Sequence, residues 1–170
     1  MRKLIAWLLF LLPALGSAQV LEIEVTGIAQ PTPVAIVTFG WEGQGAAMPL
    51  NVSTVITADL RRSGRFDPVP EEKMLQKPTD GADVDFQDWG FVGVEAVVVG
   101  KMIQTDDNLF TLQIQLFDVV ARRQLLGFRM PRVTRATMRG AAHRAADMIY
   151  EKLTGIKGVF GTRVAYVTAK

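Results

Sequence analysis

VEAVVVGKMIQTDDNLFTLQIQLF, residues 94–117, carries the pattern that decides the fold class. Residues 94–99 are a β-branched run that predicts a strand. Residues 101–105 open a hairpin that turns at Asp106, Asp107 and Asn108, and residues 109–117 return with Leu112, Ile114 and Leu116 alternating. Aspartate favours such turns because its side chain bonds its own backbone, so this carboxylate pair reads as turn chemistry rather than as an acid and base. A second turn near residues 120–122 leads into another strand over residues 124–130. Upstream, residues 34–39 between Pro33 and Gly40 are almost continuously apolar, as in a strand covered on both sides.

Two stretches have the helical period instead. Over residues 51–63, Val52, Val55, Ile56 and Leu60 recur at helical spacing, with Asn51 as the cap and Gly64 at the stop. Residues 134–153 bury a stripe through Met138, Ala142, Ala145, Ile149 and Leu153 and end against Gly155. Between the first helix and the hairpin, polar residues 71–88, with Pro78 and Gly81, read as a surface connection. Strand, helix, strands and helix in this order predict an α/β domain: a mixed β-sheet with two main α-helices packed on one face. The order of strands within the sheet does not follow from the pattern.

The amino terminus belongs to neither pattern. Arg2 and Lys3 precede an apolar run over residues 4–15, and the small residues Gly16, Ser17 and Ala18 close it. This is the layout of a signal peptide cleaved after Ala18, with export to the periplasm as its consequence. Twelve apolar residues interrupted by Pro13 fall short of the roughly 20 that span a bilayer. No later segment qualifies as a transmembrane helix. Of 19 basic and 17 acidic residues in the chain, cleavage removes two basic ones, so the mature protein is near neutrality. That balance argues against nucleic acid and against a polybasic membrane contact. Without cysteine there are no disulfides, thiolate metal sites or cysteine nucleophile.

Few residues invite chemistry. His143 is the one histidine and sits mid-helix between Arg139 and Asp147 at neighbouring turns, which reads as a solvated face. Gly40, Gly43 and Gly45 lack the lysine and spacing of a phosphate loop, so a plain loop is expected. Nothing nominates a metal, a cofactor or a catalytic residue. Arg132, Arg135, Arg139 and Arg144 give the last helix a basic start that opposes its dipole. They read as a solvated face paired with Asp147 and Glu151, or as a contact surface for an acidic partner. After cleavage, Gln19, Val20, Leu21, Glu22, Ile23, Glu24, Val25 and Thr26 form an alternating strand next to the new terminus. Such a strand pairs either with its own domain or with the sheet edge of a partner.

Several segments resemble the TolB family. They are Leu21-Glu-Ile-Glu-Val-Thr26, Pro33-Val-Ala-Ile-Val-Thr-Phe39, Asp59-Leu-Arg-Arg-Ser-Gly-Arg-Phe66, Ala96-Val-Val-Val-Gly100 and Gln115-Leu-Phe-Asp118. The most specific is Tyr150-Glu-Lys-Leu-Thr-Gly-Ile-Lys-Gly-Val-Phe160, followed by Thr162-Arg-Val-Ala-Tyr166. Two departures stand out: Thr38 occupies a position where the family usually has proline, and the link between Val25 and Pro31 is a residue shorter than is common.

The resemblance implies a β-propeller downstream of this chain. It divides the chain into a signal peptide over residues 1–18, a partner-binding strand over 19–30, an α/β domain over 31–160 and the start of the propeller over 161–170. It further implies a role in the Tol-Pal system, which supports outer-membrane integrity and constriction at cell division. A TolA-like inner-membrane protein would bind residues 19–26, and a Pal-like lipoprotein would bind the propeller, with order and disorder of the strand switching between them. The competing expectation is another periplasmic α/β module that assembles an outer-membrane secretion or cell-wall complex. A hydrolase would need a convergent nucleophile and base that the sequence does not offer.

Overall fold

The computed structural model describes residues 30–162. Its elements, in chain order, are β1 (Thr32–Ile36), β2 (Gly40–Glu42), α1 (Val52–Arg62), β3 (Phe66–Pro68), α2 (Phe86–Val92), β4 (Ala96–Asp106), β5 (Leu109–Asp118), β6 (Arg123–Val133) and α3 (Met138–Thr154). The strands form one mixed sheet in the order β3-β1-β4-β5-β6, and β2 also pairs with β4. β1 runs parallel to both β3 and β4, while β4, β5 and β6 form an antiparallel meander.

Local chemistry explains the first helix. The Asn51 carboxamide oxygen accepts the Thr54 N–H at 3.3 Å and the Ser53 hydroxyl at 2.6 Å, satisfying a free backbone donor at the first turn. Arg61 and Arg62 close the last turn, where positive charge suits the helix dipole. Gly64 then takes the left-handed conformation at φ 69°. α3 ends in the same way at Gly155, φ 72°, as its sequence predicts. Its start lies later than expected, at Met138 rather than residue 134, because Thr134 and Thr137 bond each other's backbone and side chains and hold a turn ahead of the helix.

The two helices pack against each other and cover one face of the sheet. Val34, Ile36, Val98, Met102, Leu112, Ile114 and Leu116 meet Val52, Ile56 and Leu60 of α1 and Met138, Ala142, Ala145 and Ile149 of α3. Alternate residues point the other way: Ala35, Val37, Val97, Val99 and Phe117 form a second core with Val84, Trp89 and Val94. This face carries α2, a third helix that the sequence reading does not anticipate. The connection read over residues 71–88 holds two short 3₁₀ turns and the beginning of that helix. Its closing glycine, Gly93, is left-handed at φ 81°.

Two strand boundaries also differ from expectation. The run over residues 34–39 pairs as β1 only to Ile36, and the chain returns to the same edge of β4 as β2. Val37 and Phe39 between them stay buried, so this strand is covered on both sides as expected. Gly100 does not separate a strand from a hairpin; β4 passes through it without a break. The Phe39 ring lies where a side chain at Gly100 would be, 3.1 Å from an ideal Cβ, and the Gln113 carbonyl is closer still. A missing side chain is required there by packing rather than by a turn.

Candidate functional site

The predicted partner-binding residues Gln19, Val20, Leu21, Glu22, Ile23, Glu24, Val25 and Thr26 lie outside the described residues, as does the signal-peptide segment. What the structure gives is the point where that segment joins the domain. Thr32 donates its N–H to the Arg65 carbonyl at 2.9 Å and lies opposite Phe66 in the β1–β3 register. A cleft of about 330 Å³ opens at this end of the sheet, lined by Thr32, Phe66, Ala96, Val120 and Leu125 among others. Val120 on its rim is 80% exposed.

The carboxy-terminal motif fixes the other end of the chain. Asp147 of α3 accepts the N–H of Phe160 at 2.6 Å and that of Gly161 at 3.1 Å. Gly158 passes so close that an added Cβ would sit 2.5 Å from the Asp147 Cα, which leaves no room for a side chain. Phe160 then meets Tyr150 edge-on, with centroids 5.6 Å apart, and Tyr150 meets Phe66 edge-on at 5.9 Å. The entry at Thr32 and the exit at Phe160 are therefore joined by three aromatic rings. Of residues 161–170, read as the start of a propeller, 163–170 lie outside the described residues.

His143 is not the solvated residue that its sequence neighbours suggest. Its Nδ1 is 2.6 Å from Oδ2 of Asp59, a carboxylate with no solvent exposure that also pairs with Arg62. The partner lies 84 residues away on α1, so no local pattern announces it. The pair clamps α1 to α3. Among the described residues no group of three or more metal-ligating side chains converges, and no helix is long and apolar enough to cross a membrane.

The arginines at the head of α3 also depart from the first of the two readings. Arg132, Arg135, Arg139 and Arg144 are exposed. No ion pair joins them to an acid among the described residues: Asp147 serves the backbone at Phe160 and Gly161 instead. Arg135 lies over the Phe110 ring at 5.8 Å. The other three line a cleft of about 690 Å³ between the end of β6, α3 and residues 160–162.

Three ion pairs brace the reverse side: Lys101 with Glu42 and with Asp80, and Lys77 with Glu71. Glu42, the near partner at 2.9 Å, and Asp80 at 3.7 Å hold the Lys101 amine above the ordinary lysine value, against a smaller desolvation effect. Hydrogen bonds from Lys77 and Thr38 hold the Glu71 carboxyl below the ordinary glutamate value. The Thr38 hydroxyl donates to Glu71 at 3.1 Å, a bond that a proline at this position could not make. Gly40, read as part of a loop, opens β2 and packs on Thr79, and Gly43 packs on the Trp41 ring.

Residues 21–125 match the model of the TolB amino-terminal domain family. The chain is 46% identical over 162 residues to the Tol-Pal system protein TolB of Thioalkalivibrio sulfidiphilus, covering 95% of this chain and 37% of that protein. It is 43% identical over 166 residues to the protein of the same name from Nitrosococcus oceani, covering 97% and 38%. The crystal structure of TolB from Acinetobacter baumannii superposes with a TM-score of 0.60 at 30% identity, over 76% of this chain and 30% of that one. The chain thus spans less than two-fifths of the length of these curated relatives. With the same mixed sheet and helices and a family match that begins at Leu21, the chain belongs to the TolB family and corresponds to its amino-terminal domain.

Proposed function

We propose that this protein is a periplasmic protein-binding component of the Tol-Pal envelope system, acting by association and not by catalysis. Residues 1–18 direct export and are removed after Ala18. Residues 19–30 are a strand that a TolA-like inner-membrane protein takes up by sheet extension, with main-chain hydrogen bonds giving affinity and alternate side chains giving specificity. Residues 31–160 are the platform that carries this strand, and residues 161–170 lead into a propeller that a Pal-like lipoprotein binds. Linking the two partners supports outer-membrane integrity and constriction at division.

The family match that starts at Leu21, inside the strand, is the observation that carries this reading. The described geometry is consistent with it. Thr32 is tied to β3 and the next residue, Pro33, accepts the Glu95 N–H ahead of β4, so order in the preceding residues can change without loss of the core. No nucleic acid, cofactor or metal is required.

Calorimetry tests the strand directly. The carboxy-terminal domain of the TolA-like partner is titrated into a chain spanning residues 19–170 and into one spanning residues 31–170. Heat is expected only with the longer chain. Equal binding to both would remove residues 19–30 from the contact, and no binding to either would remove the amino-terminal domain from it.

A further inference from the structure

The cleft beside α3 has no part in the strand-uptake reading, and its composition is unusual. Arg132, Arg139, His143 and Arg144 line it, with Val133 and Phe160 among the apolar groups, and no acidic residue among the described ones contributes to the lining. The three arginines are exposed and unpaired among the described residues. The neighbouring carboxylate that would neutralise them, Asp147, is engaged by two backbone N–H groups.

Two of these arginines also sit against local preference. Arg139 is the second residue of α3, whose first turn holds no acid, so its charge faces the positive end of the helix dipole. Arg132 has φ 59°, in the left-handed region that a residue with a Cβ adopts at a cost. No ion pair among the described residues compensates the charge of either arginine. A ligand that brings carboxylates would compensate the charge, and arginine's planar fork matches a carboxylate through paired hydrogen bonds.

We propose that this cleft docks an acidic segment of a partner protein. Its carboxylates are held by Arg132, Arg139 and Arg144, and an apolar side chain between them rests against Phe160. The volume, about 690 Å³, is that of a site for a few side chains. Charge complementarity selects the occupant. A nucleic acid would need a basic track extending beyond one cleft, and the mature chain, with as many acidic as basic residues, does not provide it.

Fluorescence anisotropy of a labelled Glu-Glu-Phe-Glu-Glu-Glu peptide, with Lys-Lys-Phe-Lys-Lys-Lys as its counterpart, tests the assignment on the chain from residue 19. The acidic peptide is expected to bind, to weaken as salt rises, and to lose at least tenfold in affinity with Arg139→Glu and Arg144→Glu together. Arg123→Glu, at the far end of β6, is expected to leave binding within twofold. An acid at position 139 suits the helix dipole, so the double variant is expected to melt no earlier than the parent, and lost binding then reports the cleft. Equal binding of the lysine peptide, or unchanged affinity in the double variant, would overturn the proposal. So would a DNA duplex that binds as tightly and is lost on the same reversal. Tenfold tighter peptide binding by Glu22→Lys with Glu24→Lys would assign the cleft to the chain's own strand and overturn an external occupant.

Discussion

Beneath α1 and α3 the sheet is covered by two regular helices that bring Val52, Ile56, Leu60, Met138 and Ile149 onto it at helical spacing. The reverse face is covered by a seven-residue helix and an irregular connection, and its largest side chain, Trp89, packs there with Phe117 without solvent exposure. On the first face the load is spread over many side chains, Phe39, Phe66 and Phe110 among them, and one buried carboxylate is shared by His143 and Arg62. On the second it is concentrated. A core built by amphipathic helices is robust to any one truncation, whereas one built around a tryptophan depends on it.

Trp89→Ala is the sharpest way to break this contrast. Truncating a buried tryptophan is expected to cost about 3–5 kcal/mol, read as a shift in the urea midpoint at unchanged slope. A loss below about 1 kcal/mol would mean that the reverse face does not share in the cooperative core. The Trp89 Nε1–H is buried with no partner among the described residues. Trp89→Phe is accordingly expected to cost less than the alanine change, since it removes that unsatisfied donor along with the volume.

A smaller effect is expected at the helix clamp. His143→Leu leaves the Asp59 carboxylate buried with Arg62 as its remaining partner, at a cost of about 1–3 kcal/mol. Adding Asp59→Leu removes the stranded charge, and the double variant is expected to recover most of that loss. Additive losses in the double-mutant cycle would show that the two side chains do not act as a pair.

The smallest effect belongs to the brace on the reverse side. Hydrogen bonds from Lys77 and Thr38 lower the Glu71 carboxyl, so the folded chain binds this proton less readily than the unfolded one. Its contribution is present above the ordinary glutamate value of about 4.3 and disappears as pH falls through the lower folded value. Thr38→Val with Lys77→Met is expected to flatten this part of the acid arm of the stability curve while leaving neutral stability almost unchanged, because the pair is exposed. An acid arm identical to the parent's would exclude Glu71 from acid unfolding.

The same contrast explains what could be read from the sequence. Asn51, the apolar spacing after it and Gly64 announce α1 by themselves, and Gly155 announces the end of α3. α2 gives no comparable signal: it is short, contains Gly90, and buries one residue, so its period cannot be told from a turn-rich link. Gly100 reads as a break because its reasons for being glycine, the Gln113 carbonyl and the Phe39 ring, come from other segments. His143 reads as solvated for a similar reason, since Asp59 reaches it only through the packing of α1 on α3. The charge of residues 132–144 was legible, but the cleft they line was not, because β6 and residues 160–162 complete it.

The aromatic line Phe66, Tyr150 and Phe160 has a mechanical meaning. Thr32, where the chain enters, pairs with Phe66, and Phe160, where it leaves, stacks on Tyr150, so both ends of the domain are anchored at one corner. Tension applied between an amino-terminal partner and whatever follows residue 162 would load that corner and the short β1–β3 pairing. The long β4–β5–β6 meander would remain outside the path of the force. A domain pulled at both ends in this way would carry the load at that corner while most of its body stays at rest.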